Sequence, residues 1–326
     1  MKRLLTLLLL MSLCSAVSAD YGVAKFTNPI CGGADPCVVK NPDGPGYWYV
    51  YSGGDSICAE YSLSPADFKY DCKNRIFECT PGTLCARAVY APELHRIGGK
   101  WYIYFAAADS NDNFHRMFVI SGGDPMKPFG DVKCMGDGGG STVDQTVFEH
   151  KGKLYTVYST WVGGGQNLYI AEMKTPWEFK TRPVMLATPE YEWEKYEAAI
   201  VEGPYVLKRK DKLYMIYSGS AATDDNYAIA VLTFKGGDIL NPKNWEKHPT
   251  PIMTGQGELQ ATGHCMFTKD ADGNDWCEFH INRPHTEDNL RQWLPRYLCL
   301  QPVVWIDNFP TFSPVVDKPK YFKYER

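Results

Sequence analysis

A short apolar phrase returns five times along this chain, and no other feature constrains its fold as tightly. The copies are GYWYVYS (46–52), KWYIYF (100–105), KLYTVYS (153–159), KLYMIYS (212–218) and DWCEFH (275–280). Counted from Trp48, the matching positions Trp101, Leu154, Leu213 and Trp276 follow after 53, 53, 59 and 63 residues. A unit of that length holds a few short strands that cannot bury their own apolar faces, so successive units must stack on one another. The phrases are rich in aromatic and β-branched residues, and helical periodicity is nearly absent. The chain is therefore predicted to be all-β, a five-bladed β-propeller.

A strand-like run precedes each phrase, and a polar residue stands at the entrance of each run. These are Asp35 in ADPCVV, Glu93 in APELHRI, Asp144 in VDQTVF, Glu202 in VEGPYVL and His264 in TGHCMF. The innermost strand of each blade lines the central channel, which brings the five entrances to one mouth. Taken singly, each acid also reads as a turn cap or a partner for loop amides. Their recurrence at one register points to a site, because capping has no need of the same rim in every blade. Carboxylates gathered around one cavity repel one another, and at least one is then held protonated near neutral pH, as a general acid must be.

The net charge of −4, without any basic stripe, argues against nucleic acid as a partner. Aromatic residues make up 14% of the chain, and most sit inside the repeated strands, where they belong to the core. The few left at a channel mouth would suit stacking on sugar rings. Trp161 is a candidate platform of this kind, with blade packing as the other reading.

Lys2 and Arg3, an apolar stretch over 4–13 and the small residues Val17-Ser18-Ala19 form the pattern of a secretory leader, predicting cleavage after Ala19 and export. No segment reaches the roughly 20 apolar residues needed to cross a bilayer as a helix, so no membrane anchor is expected. Of the 11 cysteines, Cys14 falls in the leader, and the even number that remains points to disulfides in an exported chain. Six of them between Cys31 and Cys85 predict a cystine-tied excursion between the first two repeats, and Cys265 and Cys277 flank a hairpin across which they could pair. No CxxC pair supports zinc. Residues 20–326 read as one domain, because the repeats run on without a linker. NPDGPG (41–46) and ADG (271–273) serve as turns between the first and second strands of their blades. Oligomeric state leaves no mark in the sequence.

The phrases ADP (34–36), YAPELHRIGGKWYIYFAA (90–107), VDQTVFEHKGKLYTVYS (143–159), VEGPYVLKRKDKLYMIYS (201–218) and TGH (262–264) resemble glycoside hydrolase family 43, in order and spacing, over nearly the whole chain after the leader. The resemblance implies a five-bladed propeller with a three-carboxylate active site. Asp35 matches the general base, Glu202 the general acid, and Asp144 the residue that orients the acid and tunes its pKa. The implied reaction is hydrolysis with inversion, which requires no cofactor and sets base and acid roughly 6.5–9.5 Å apart to admit a water. Glu93 lies in the family's APE/APD phrase, as a structural acid or one that shapes the substrate pocket. His264 matches a histidine near the channel axis that in many members is linked to a calcium ion through water; a satisfied polar group is the other reading.

Two departures from the family pattern stand out: Cys265-Met266 after His264, and Asn308-Phe309 in place of a glycine turn. The YAPEL phrase and GGGQNLYIAEM (163–173) are most similar to the branch that releases terminal α-L-arabinofuranose from plant polysaccharides such as arabinan and arabinoxylan. The resemblance thus implies a secreted enzyme acting on polysaccharide or oligosaccharide. A β-xylosidase, an endo-arabinanase and, from another class, a non-catalytic carbohydrate-binding propeller stand as alternatives, the last disfavoured by the intact carboxylate set. The loop at 163–166 and the 58–85 excursion are expected to narrow the pocket to one terminal sugar.

Overall fold

The computed structural model describes residues 20–110, 114–136, 139–286, 288–289, 292–315 and 317–326; the expected leader, with Cys14, lies outside them. Five antiparallel sheets follow one another along the chain. The first blade comprises Cys37–Lys40, Tyr47–Ser52, Ser56–Ser62 and Arg75–Glu78, and the second Arg87–Ile97, Lys100–Ala108, His115–Gly122 and Gly130–Gly136. The third holds Thr142–His150, Lys153–Val162, Gly165–Thr175 and Glu178–Phe179, with Val184–Ala187 also paired to its third strand. The fourth contains Val201–Arg209, Lys212–Gly219, Ala228–Phe234 and Trp245–Lys247. Gln260–Lys269, Asp275–Asn282 and Tyr297–Pro302 make the fifth, whose outer strand is Cys31–Gly32 from the start of the chain. The propeller ring is closed by this N-terminal strand. Asn28 reinforces the closure, donating from its side-chain amide to the Leu300 carbonyl (2.9 Å) and accepting from the Leu300 N–H (3.0 Å).

Each repeated phrase is the second strand of its blade, covered by neighbouring blades on both faces, which is why it reads as a nearly unbroken apolar run. In the first blade Trp48 and Val50 face Ile103 and Phe105 of the second, while Tyr47, Tyr49 and Tyr51 face Leu298 and Leu300 of the fifth. The same alternation joins Tyr102 and Tyr104 to Val147, Val157 to Met215, and Ile216 to Phe279, so that every interface between blades has its own apolar cluster. Burial of one such side chain stabilises the ring by about 1.5–3 kcal/mol.

The cysteines meet expectation in part, with a disulfide inside the 31–85 excursion and none across the fifth-blade hairpin. A disulfide joins Cys58 to Cys72, within the first blade's third strand and the segment leading to its fourth. Cys265 and Cys277 are free, buried thiols in the cluster between the fourth and fifth blades, within hydrogen-bond reach of each other across the hairpin. The Cys79 and Cys85 sulfurs lie 3.7 Å apart as thiols. At Asp307 and Asn308, both at positive φ (51° and 63°), a two-residue turn joins Val304–Ile306 to Phe309–Thr311. Asp and Asn tolerate that conformation, so no glycine is needed there.

Candidate active site

Every blade has a left-handed residue at an equivalent point where the inner strand leaves the channel mouth: Asp35, Ala91, Asp144, Gly203 and His264, with φ of 47°, 44°, 60°, 55° and 48°; Ala88 and Ala261 add a second one three residues earlier in the second and fifth blades. In the last four blades the pairing of the inner strand slips at this point, the mark of a β-bulge that re-aims side chains. The shared register expected from sequence is thereby refined. Asp35, Asp144 and His264 occupy the bulge position itself. Glu202 stands one residue ahead of it, with Gly203 taking the left-handed turn. Glu93 stands two residues beyond, and its buried side chain pairs with His95 at 2.7 Å.

The mouth opens into a pocket of about 490 Å³ lined by Asp35, Asp144, Glu202 and His264, together with Tyr90, His115, Trp161, Gln166, Trp293 and Arg296. That size suits a small ligand, for which pockets run roughly 300–1,000 Å³. Glu93 does not line it. Nor does any residue of the 58–85 excursion; the walls come from Trp161 and Gln166 of the third-blade hairpin and from the segment before Tyr297–Pro302. Trp161 and Trp293 expose 41% and 68% of their surface, and Tyr90 stacks on His115 with ring centres 4.1 Å apart, so flat apolar faces are available beside the carboxylates.

Asp35 is buried beside Arg296, whose Nη1 donates to Oδ1 at 2.8 Å, and His264 Nδ1 lies 3.3 Å from the same oxygen. Burial alone would raise its pKa, but Arg296 and His264 outweigh that effect and hold the carboxyl far below its ordinary value. The Asp35 N–H donates to His280 Nδ1 at 3.2 Å; burial lowers the His280 pKa to about 4 and keeps that ring neutral.

Glu202 is in the opposite condition. Burial, and then the nearby Asp144 charge, push its pKa up to about 8. Its carboxyl accepts from Gln166 Nε2 (2.8 Å) and the Tyr227 hydroxyl (2.9 Å). Asp144, raised to about 6 chiefly by burial, accepts from the Gly203 N–H at 2.9 Å, a bond that links the third blade to the residue beside Glu202. Burial disfavours charge on His264, yet Asp35 and Asp144 prevail and raise its pKa. One cavity thus holds an ionised carboxylate and a protonated carboxyl at neutral pH. Such a pair of environments serves acid–base chemistry.

Comparison with known proteins gives this arrangement its context. The model of glycosyl hydrolases family 43 matches residues 26–310. This chain belongs to that family. It is a glycosidase. An extracellular exo-α-(1→5)-L-arabinofuranosidase of Streptomyces chartreusis is 35% identical over 274 residues, covering 80% of this chain and 83% of the relative. α-L-Arabinofuranosidase 43 of Humicola insolens is 30% identical over 332 residues, covering 94% and 67%. Among solved structures, an α-L-arabinofuranosidase from Lactobacillus brevis superposes with a TM-score of 0.79 at 34% identity, covering 89% of this chain and 97% of that one.

For the calcium that the family implies, the His264 ring faces Asp35 at 3.3 Å and Asp144 at 3.8 Å. Among the described residues no three His, Cys, Asp or Glu side chains form a metal-binding group. These side chains do not make a direct calcium cage.

Arg296, His280, Tyr227, Gln166 and Trp293 escape a reading of the repeats. Tyr227, Trp293 and Arg296 lie in connections that differ between blades, and His280 ends a phrase whose apolar character reads as core. Gln166 alone carried a signal, through its place in the GGGQN loop.

Proposed function

We propose that this family 43 glycosidase is exported and removes terminal α-L-arabinofuranosyl units from plant cell-wall polysaccharide with inversion at the anomeric carbon. The observation that carries the reading is the opposed protonation of Asp35 and Glu202 in one sugar-sized pocket. Asp35, kept ionised by Arg296, takes a proton from the water that attacks the anomeric carbon. Glu202, kept protonated by burial and Asp144, gives its proton to the departing glycosidic oxygen. Asp144 orients the acid through the Gly203 N–H and sustains its raised pKa.

Trp161 and Trp293 offer the sugar its apolar faces, and the walls around them favour one terminal unit over the middle of a chain. The arabinofuranose preference is supported by the names of the relatives, and export by the leader pattern, the Cys58–Cys72 disulfide and the relative described as extracellular. The test is digestion of linear and branched arabinan, arabinoxylan and xylooligosaccharides, with proton NMR of an aryl arabinofuranoside during early turnover. Free arabinose from the polymers, appearing first as the anomer opposite to the substrate's, is expected. Xylose alone would make the enzyme a β-xylosidase, a ladder of arabinooligosaccharides would mean internal cleavage, and no turnover of any glycoside would leave a binding propeller.

A further inference from the structure

Tyr227 precedes the strand Ala228–Phe234, outside every repeated phrase, yet its hydroxyl reaches Glu202 Oε1 at 2.9 Å. The ring is buried and lies nearly parallel to that of His280, with an angle of 10° and centres 5.7 Å apart. Its place is kept open by Gly263. A Cβ at that position would stand 1.8 Å from Tyr227 Cε1, so the glycine of the TGH phrase is required by this ring and not by its own backbone. On the other side of the carboxyl, Gln166 Nε2 donates to Oε2 at 2.8 Å. Burial, with Glu202 and Asp144 close by, raises the Tyr227 pKa well above that of an ordinary phenol, which keeps the hydroxyl a donor throughout the working range.

We infer that Tyr227 is a positioning residue for the general acid and that Gly263 exists to seat it. The inference rests on the proposed role of Glu202. During hydrolysis the bond between anomeric carbon and leaving oxygen breaks, the Glu202 proton passes to that oxygen, and water supplies its oxygen to the carbon and a proton to Asp35. Glu202 is left as a carboxylate accepting from Tyr227 and Gln166. A hydrogen bond to a carboxylate is stronger than one to a neutral acid, so the Tyr227 contact strengthens as the proton leaves and favours the transition state over the bound substrate. The same bond favours the ionised form of Glu202, and its loss moves the pKa of the acid upward.

The test compares Tyr227→Phe, which keeps the ring and removes the hydroxyl, with Gly263→Ala, which keeps the hydroxyl and displaces the ring. Substrates are a series of aryl arabinofuranosides whose phenols span a wide range of acidity. For Tyr227→Phe, kcat falls about tenfold on poor leaving groups with KM nearly unchanged, and the alkaline limb of kcat/KM rises by about one pH unit. The defect shrinks on dinitrophenyl substrates, whose leaving group needs no proton. Gly263→Ala reproduces the dependence on leaving group and stands in for Tyr227→Phe should that variant not fold. An unshifted alkaline limb, or a defect equal on good and poor leaving groups, overturns the inference while Glu202→Gln remains inactive on poor leaving groups. If Glu202→Gln itself keeps its turnover there, the assignment of the acid fails first, and the inference falls with it.

Discussion

Asp35 and Glu202 are chemically alike, and what separates them is the company each keeps at the channel mouth. Arg296 and His264 stand against Asp35, whereas apolar burial and a second carboxylate stand against Glu202. Asp35→Asn and Glu202→Gln are each expected to lower kcat by about a hundredfold or more, measured on an aryl arabinofuranoside, as loss of general acid–base catalysis does. Asp144→Asn removes a negative charge beside Glu202, so the alkaline limb of the pH–rate profile moves down from about 8. The raised Glu202 pKa also has a consequence for stability. Between its ordinary value of 4.5 and about 8 the folded protein keeps a proton that the unfolded chain releases, so this group's contribution to stability declines as pH rises through that window and then levels off. Glutamine has no such slope. Glu202→Gln should therefore melt at a higher temperature than the parent at pH 8, with the difference shrinking towards pH 5 in a calorimetric comparison.

The inner strands carry the site because each breaks its own regularity at the mouth. Left-handed backbone costs a non-glycine residue roughly 1 kcal/mol or more, and Asp35, Asp144 and His264 all adopt it where a plain strand would turn their side chains elsewhere. At Gly203 (φ +55°) an added Cβ would also meet the His264 backbone and ring at 3.2 Å. Gly203→Ala is accordingly expected to lower kcat by about tenfold through displacement of Glu202, since small misplacements of reacting groups are costly. Gly236→Ala, at φ +98° with open space around it, carries a similar backbone strain far from the pocket and should leave kcat unchanged. Equal effects of the two on steady-state kinetics would contradict this account of the bulge.

At the scale of the whole ring, stability depends on joining the first segment of the chain to the last blade. Asn28, 2% exposed, satisfies both backbone groups of Leu300 from outside the blade. Asn28→Ala leaves a buried N–H and a buried carbonyl unpaired, each costing about 1–3 kcal/mol, so a loss of roughly 2–6 kcal/mol is expected from the shift of the denaturant midpoint. The closure also reaches the site. The Gly33 N–H donates to the Arg296 carbonyl at 2.9 Å, two residues from Asp35, so the strand that locks the ring also brings Asp35 to the Arg296 guanidinium.

The fivefold phrase was enough to settle the number of blades, since a strand covered on both faces must be apolar along its length and the interval between copies measures one blade. The acids at the strand entrances were legible for a related reason: a ring places equivalent positions side by side, so a recurrence in one dimension becomes a cluster in three. Which of those acids enters the pocket was legible only through the family resemblance, not from the repeats themselves. A shift of one or two residues around a bulge decides whether a side chain faces the mouth, as for Glu202, or turns away to pair with a neighbour, as for Glu93. Cysteine pairing was closed to sequence as well: Cys265 and Cys277 meet across the hairpin and stay thiols, while the disulfide forms between Cys58 and Cys72. The protonation states lay furthest from view. Arg296 reaches Asp35 across 261 positions of sequence, and Tyr227 and Gln166 meet on Glu202 from different blades, so the field that keeps one carboxyl ionised and the other protonated exists only once the ring has closed.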